Sequence, residues 1–185
     1  MIEHKKHVIF DEIIYDRLQL ETFVKKFNNC VIESKDVSNS NKVNYENKEG
    51  YKIVDTTLLE GKTPTEYPEI QNLKDKFKID IPDEHVDITN FDVGFNLPPH
   101  ADLNSRTSIM FPILPKDAGE ELIFHDGDKI DYTVKYSTQH PTAINTQLLH
   151  SVAEVKERRV YLRFMIYNYT LDEIKSLCKE GKLFK

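Results

Sequence analysis

Residues 159–167 read Arg-Val-Tyr-Leu-Arg-Phe-Met-Ile-Tyr, and no other stretch constrains the fold as tightly. A period-two alternation over nine residues predicts a strand, because successive side chains leave an extended backbone on opposite sides. Val160, Leu162, Phe164 and Ile166 fall on one face and need an apolar cover, which the amphipathic helices elsewhere in the chain can supply. The opposite face carries Arg159, Tyr161, Arg163, Met165 and Tyr167. Two cations among aromatic and thioether groups suit a lined cavity better than an inert core, and a guanidinium buried there needs an anion. The plainer alternative is that both arginines form protein salt bridges or meet water at a sheet edge.

The remaining pattern places that strand in a sheet-rich second half. Further strand candidates run from Val86 through Phe95, then Arg106 to Ile113, Glu121 to His125, Ile130 to Tyr136 and Thr142 to Asn145. Before them, Leu20, Phe23, Val24 and Phe27 mark an amphipathic helix over 16–29 with Asp16 as cap. Ile70, Leu73 and Phe77 mark a second helix over about 66–78, with Pro68 in its first turn. The polar run 34–50 reads as a surface loop. Thr170 followed by Glu173 is a capping box that starts a closing helix carrying Leu171, Ile174, Leu177 and Cys178. The expected architecture is one domain over 1–185, with helical support about 11–80 and a β core about 86–169.

Composition narrows the function classes. Lys plus Arg total 25 against 31 Asp plus Glu, a formal charge of −6, which argues against a broad nucleic-acid face. No apolar run approaches the ~20 residues of a membrane helix, and none follows the basic start as a secretory signal requires. Cys30 and Cys178 are too few for a disulfide framework or a cysteine-based zinc site, so a reducing, cytoplasmic compartment is expected. Oligomeric state is left open, since there is no heptad array or repeat.

The sharpest chemical feature is His100-Ala101-Asp102, just beyond a strand candidate. In extended backbone the imidazole and carboxylate at i and i+2 point the same way and can converge on one ion. His150 is the best third ligand. Two imidazoles and one carboxylate form a facial set that leaves positions open on an octahedral iron, although zinc also takes such ligands. A small dicarboxylate chelating the metal and pairing with an arginine would satisfy both the metal and the guanidinium, whose fork matches a carboxylate.

These residues, in this order, resemble the Fe(II)- and 2-oxoglutarate-dependent oxygenases, especially small hydroxylases of the prolyl and aspartyl/asparaginyl types. His100-Ala101-Asp102 is similar to the family's His-x-Asp pattern, His150 to its distal histidine, and Arg159, nine residues later, to the residue holding the far carboxylate of 2-oxoglutarate. The resemblance covers roughly 91–169. It implies a mainly β fold with flanking helices around a double-stranded β-helix, or jelly roll. It also implies Fe(II) and 2-oxoglutarate as cofactors, ascorbate as a reductant, and hydroxylation of a protein, peptide or amino-acid C–H bond with release of succinate and carbon dioxide. Arg163 shares the face of Arg159 and is the other candidate for the cosubstrate, with Tyr161 between them. Two other classes stay open: a non-catalytic metal-binding jelly roll, and a cupin-type metalloenzyme that does not use 2-oxoglutarate.

The other histidines have simpler readings. His125 precedes Asp126-Gly127, a tight-turn sequence; His140 precedes Pro141 in a connection; His4 and His7 belong to a polar, solvated terminus.

Overall fold

The computed structural model describes residues 1–26, 51–53, 63–91, 93–102, 104–114, 121–135 and 139–185. The polar run 34–50, Cys30 and Phe27 lie outside them. The described strands form two antiparallel sheets. The larger contains β1 (Ile2–Glu3), β2 (His7–Ile9), β3 (Tyr51–Ile53), β4 (Val86–Phe91), β6 (Thr107–Leu114), β9 (Thr142–Asn145) and β11 (Arg159–Ile166), in the order β1-β2-β9-β6-β11-β4-β3. The smaller contains β5 (Leu97–His100), β7 (Glu121–Asp126), β8 (Lys129–Lys135) and β10 (His150–Val152), in the order β5-β10-β7-β8. This arrangement resembles a double-stranded β-helix core with flanking helices, and no strand pairing joins the two sheets among the described residues.

Two apolar clusters give each face of the large sheet its cover. On the outer side, Val160, Leu162, Phe164 and Ile166 of β11 join Phe23 of α1 (Arg17–Lys26) and Ile70 of α2 (Pro68–Lys74). Leu171 and Ile174 of α3 (Leu171–Lys179) belong to the same cluster. On the inner side, Tyr161 of β11 and Met110 of β6 join Leu122, Phe124 and Val134 of the small sheet. The alternation of residues 159–167 therefore sorts the chain as its pattern demands. β6 is apolar on both faces because it is central: Ile109 and Phe111 point outward and Met110 inward. Pro112 interrupts this central strand at no cost to β9, whose pairing ends with Thr142 opposite Met110, so the missing N–H has no ladder partner there.

Local chemistry fixes most element ends. Asp16 Oδ1 accepts the Gln19 amide at 2.9 Å and starts α1. Thr170 and Glu173 make the reciprocal capping box of α3, with Thr170 N–H donating to Glu173 Oε2 at 2.7 Å. Gly127, at φ 58°, closes the tight β7–β8 hairpin.

Three expectations are corrected and one strand is added. The helix expected over about 66–78 is a single 3₁₀ turn (Pro64–Glu66) followed by α2, which stops at Lys74. Beyond it Phe77 bridges Phe184 and Lys78 N–H donates to Leu183, so the backbone is diverted into pairing with the C-terminal segment. The strand-like run through Phe95 breaks after Phe91, where Gly94 turns at φ 84° and Val93 is exposed. His150–Val152 is a strand that sequence reading did not mark. Finally, the N-terminus is not a solvated prelude to helices. Val8 pairs with Ala143, adding β2 to the large sheet, and Val8, Phe10 and His7 are all buried.

Candidate metal centre and its cavity

His100 ends β5 and His150 begins β10, and the two are Cα partners across the antiparallel pair. Partnered residues in antiparallel strands project to the same side, so the ladder brings both imidazoles together, with ring centroids 4.3 Å apart. Asp102, two residues past His100, turns the same way: its Oδ1 lies 3.7 Å from His100 Nε2. Its backbone is held by an N–H bond to the Thr146 carbonyl at 2.8 Å, and Thr146 Oγ1 donates to the Ser105 carbonyl at 2.7 Å. One ligand atom from each of His100, Asp102 and His150 lies within 4.8 Å of the others.

The histidine tautomers follow from their partners. His100 Nδ1 is 2.9 Å from the Pro98 carbonyl and His150 Nδ1 is 2.8 Å from the Leu148 carbonyl. A carbonyl can only accept, so each Nδ1 carries a proton, which leaves Nε2 as the nitrogen through which each ring can ligate. Imidazoles that ligate metals are oriented in this manner by a bond on the other nitrogen. Burial, and secondarily the neighbouring His100, push the His150 pKa well down, so its ring is neutral and ready to donate a lone pair near neutral pH. Two imidazoles and a carboxylate, all largely buried, fit a divalent ion; a plain surface hydrogen-bonded pair would not bring in the second ring.

The inner face of β11 turns toward the small sheet, with Tyr161 in the cluster that holds Leu122 and Phe124. Arg159 is 1% exposed, with its guanidinium carbon 5.8 Å from the centre of the Tyr161 ring. Arg163 is differently placed: its Nε and Nη2 form a fork on Asp87 of β4, with Nη2 2.6 Å from Oδ2 and Nε 3.1 Å from Oδ1. Tyr161 is buried, whereas Met165 and Tyr167 are partly exposed, and the Tyr167 ring lies 4.0 Å from that of His85.

Neither protein-family models nor curated proteins match this sequence. Solved structures do match its fold. The prolyl hydroxylase in complex with a hypoxia inducible factor oxygen degradation domain peptide fragment, from Trichoplax adhaerens, superposes with TM-score 0.52 at 11% identity, over 88% of this chain and 84% of that one. OsALKBH1 superposes with TM-score 0.51 at 12% identity, over 89% of this chain and 100% of that one. With the His-Asp-His cluster in place, these decide the resemblance. The chain resembles the Fe(II)- and 2-oxoglutarate-dependent oxygenases in fold. An oxidoreductase of the 2OG-Fe(II) oxygenase family from Burkholderia pseudomallei aligns only in part, at 14% identity and TM-score 0.35, over 45% of this chain and 46% of that one.

Within this oxygenase-like fold the other histidines lie apart from the cluster. His125 lies in β7, within the strand expected over Glu121 to His125, and its Nε2 is 2.7 Å from Ser151 Oγ. His140 Nδ1 reaches the Ile13 carbonyl at 3.2 Å. His4 stacks on Tyr132 with centroids 3.8 Å apart, and buried His7 lies 5.6 Å from the same ring, so the N-terminal segment meets β8 of the other sheet. Sequence reading missed Asp87 and Phe124. Asp87 alternates with the outward-facing Val86 and Ile88, so its inward direction was readable from parity. Phe124 is the Cα partner of His150 on the side away from β5, a position that depends on pairing between distant segments.

Proposed function

We propose that the chain is an Fe(II)- and 2-oxoglutarate-dependent dioxygenase. In this reading residues 1–185 form one oxygenase-like domain around a jelly-roll core, it works in the cytoplasm, and it hydroxylates a C–H bond of a protein, peptide or amino acid. The observation that carries the reading is the convergence of one ligand atom from each of His100, Asp102 and His150 within 4.8 Å, with both imidazoles oriented through Nδ1.

When bound, Fe(II) with 2-oxoglutarate supplies the oxidising chemistry, with release of succinate and carbon dioxide. The chain's own residues supply position. His100, Asp102 and His150 hold the ion from one side and leave its other side open to ligands. Arg159 receives the far carboxylate of the cosubstrate, and its burial makes that contact strong by excluding water. Tyr161 flanks the guanidinium, while Leu122, Phe124 and Val152 keep the inner wall dry. Arg163 is the weaker candidate for the carboxylate because its fork already holds Asp87.

The test is succinate formation under oxygen with Fe(II), 2-oxoglutarate and ascorbate, including the slow turnover without primary substrate. Asp102→Ala is expected to abolish turnover and weaken iron binding. Wild-type turnover in Asp102→Ala would show that this carboxylate is not a ligand. Metal binding without succinate or 2-oxoglutarate affinity would leave the non-catalytic jelly roll or the cupin-type enzyme as the better account.

A further inference from the structure

Residues 4–7 cross from one sheet to the other. β2 joins the large sheet through β9, and β8 is an edge strand of the small sheet. His7 is the Cα partner of Ile144, an inner-cluster residue, so its ring enters the space between the sheets. There it lies 5.6 Å from the Tyr132 ring of β8, while His4 stacks on that ring at 3.8 Å and sits 5.4 Å from His7. Lys6 pairs with Asp131 of β8, and its Nζ lies 5.4 Å from the centre of the Phe124 ring. No strand pairing joins the two sheets among the described residues, so these side chains tie β2 to β8.

The tie suits neutral rings. His7 is 6% exposed, and its Nδ1 has no hydrogen-bond partner. The groups facing it offer no free anion. His4 and Lys175 of α3 act on it as cations, Lys5 adds a further cation near His4, Asp131 is taken by Lys6, and Asp172 holds Lys175 at 3.1 Å. A cation–π contact with Tyr132 returns about 0.5–2 kcal/mol, less than a buried charge without a counter-ion costs.

The two sides of the tie differ in strength. Val8 and Phe10 anchor β2 in the outer cluster, and Phe10 N–H donates to the Pro141 carbonyl and Asn145 N–H to the Lys6 carbonyl, both at 3.0 Å. In β8, by contrast, Lys129, Ile130 and Asp131 are exposed and Val134 is the buried residue. β8 is therefore the side that yields.

We propose that His4, His7 and Tyr132 form an acid-released latch between the two sheets. Proton uptake by His7 parts β8 from β2, while the large sheet and its helices stay folded. Opening bares the inner cluster beside Phe124, whose ring lies 6.1 Å from that of His150. Acidity thus reaches the neighbourhood of the metal residues through a histidine that is not one of them. Burial, then the charges of His4 and Lys175, lower the His7 pKa to about 4 when the latch is closed, whereas an exposed imidazole titrates near 6.5, so the open form gains as pH falls through that interval.

The chain contains no tryptophan, so Tyr132→Trp places a single indole in the stack. Acrylamide quenching of that indole is measured in metal-free protein from about pH 7.5 to about pH 4.5, with far-UV circular dichroism in parallel. The quenching constant is expected to rise severalfold along a one-proton curve while the dichroism stays constant. Adding His7→Phe flattens the curve. Adding Asp131→Asn, which breaks the ion pair with Lys6, leaves the slope in place. ANS emission from the wild type and His7→Phe, which needs no indole, repeats the test if Tyr132→Trp does not fold. A flat curve overturns the proposal. So does a rise that survives His7→Phe undiminished, one that vanishes with Asp131→Asn, or one that tracks a loss of dichroism.

Discussion

Replacing His7 with Phe is expected to flatten the acid side of the stability profile. His7 lies in β2 against Tyr132 and His4, and its Nδ1 is buried with no hydrogen-bond partner. Burial, then the charges of His4 and Lys175, lower its pKa from 6.5 to about 4. The sign follows from linkage. Above the unfolded-state pKa both states are neutral and His7 contributes no slope. As pH falls below it, the unfolded chain takes up a proton that the folded chain refuses, so stability declines until the folded pKa is reached. Between about pH 7.5 and pH 5 the shift corresponds to about 2 kcal/mol. Phe keeps a ring against Tyr132 and removes the titrating nitrogen. Urea unfolding of metal-free protein at several pH values measures the effect. His150 shifts in the same direction in both proteins, so the difference between the two profiles isolates His7. Parallel profiles for wild type and His7→Phe would refute the assignment.

Three further outcomes are expected. Leu162→Ala removes a side chain with 0% exposure at the centre of the outer cluster and should cost about 2–5 kcal/mol in chemical denaturation; a loss below ~1 kcal/mol would mean that the helices do not rest on β11 as described. Thr170→Ala deletes the acceptor of the Glu173 amide and should cost about 1 kcal/mol, read as a lowered midpoint with unchanged denaturant slope. Arg159→Met should raise the 2-oxoglutarate concentration needed for half-maximal turnover by roughly 10–100-fold and leave metal affinity near wild type; a similar effect from Arg163→Met alone would reassign the contact.

The parts of this molecule that could be read directly are those whose signal is local. The two faces of β11 follow from period two alone, and the convergence of His100 and Asp102 follows from their spacing in extended chain. The capping box of α3 and the Gly127 turn are equally local. What escaped reading depends on distant partners. Nothing within His150-Ser151-Val152 marks a strand; it becomes one because Leu97–His100 and Leu122–Phe124 lie on either side. β2 is likewise completed by Thr142–Ile144, far along the chain, and that pairing buries a histidine expected in solvent. Asp87 carried the right parity but the wrong apparent chemistry, since an acid in a half-polar strand ordinarily faces water. Its inward direction becomes meaningful only with Arg163 opposite.

The pairing of His100 with His150 also bears on how the small sheet holds together. β5 is one of its two edge strands, four residues long and paired, among the described residues, on one flank with β10. An ion gripped by both imidazoles would rivet that margin to its neighbour at the end where it is most prone to peel away. Metal loading should therefore slow exchange of the Leu97 and His100 amides, the two N–H groups of a strand that holds Pro98 and Pro99, more than in the central strands, making the ion a fastener for the scaffold as well as a centre for chemistry.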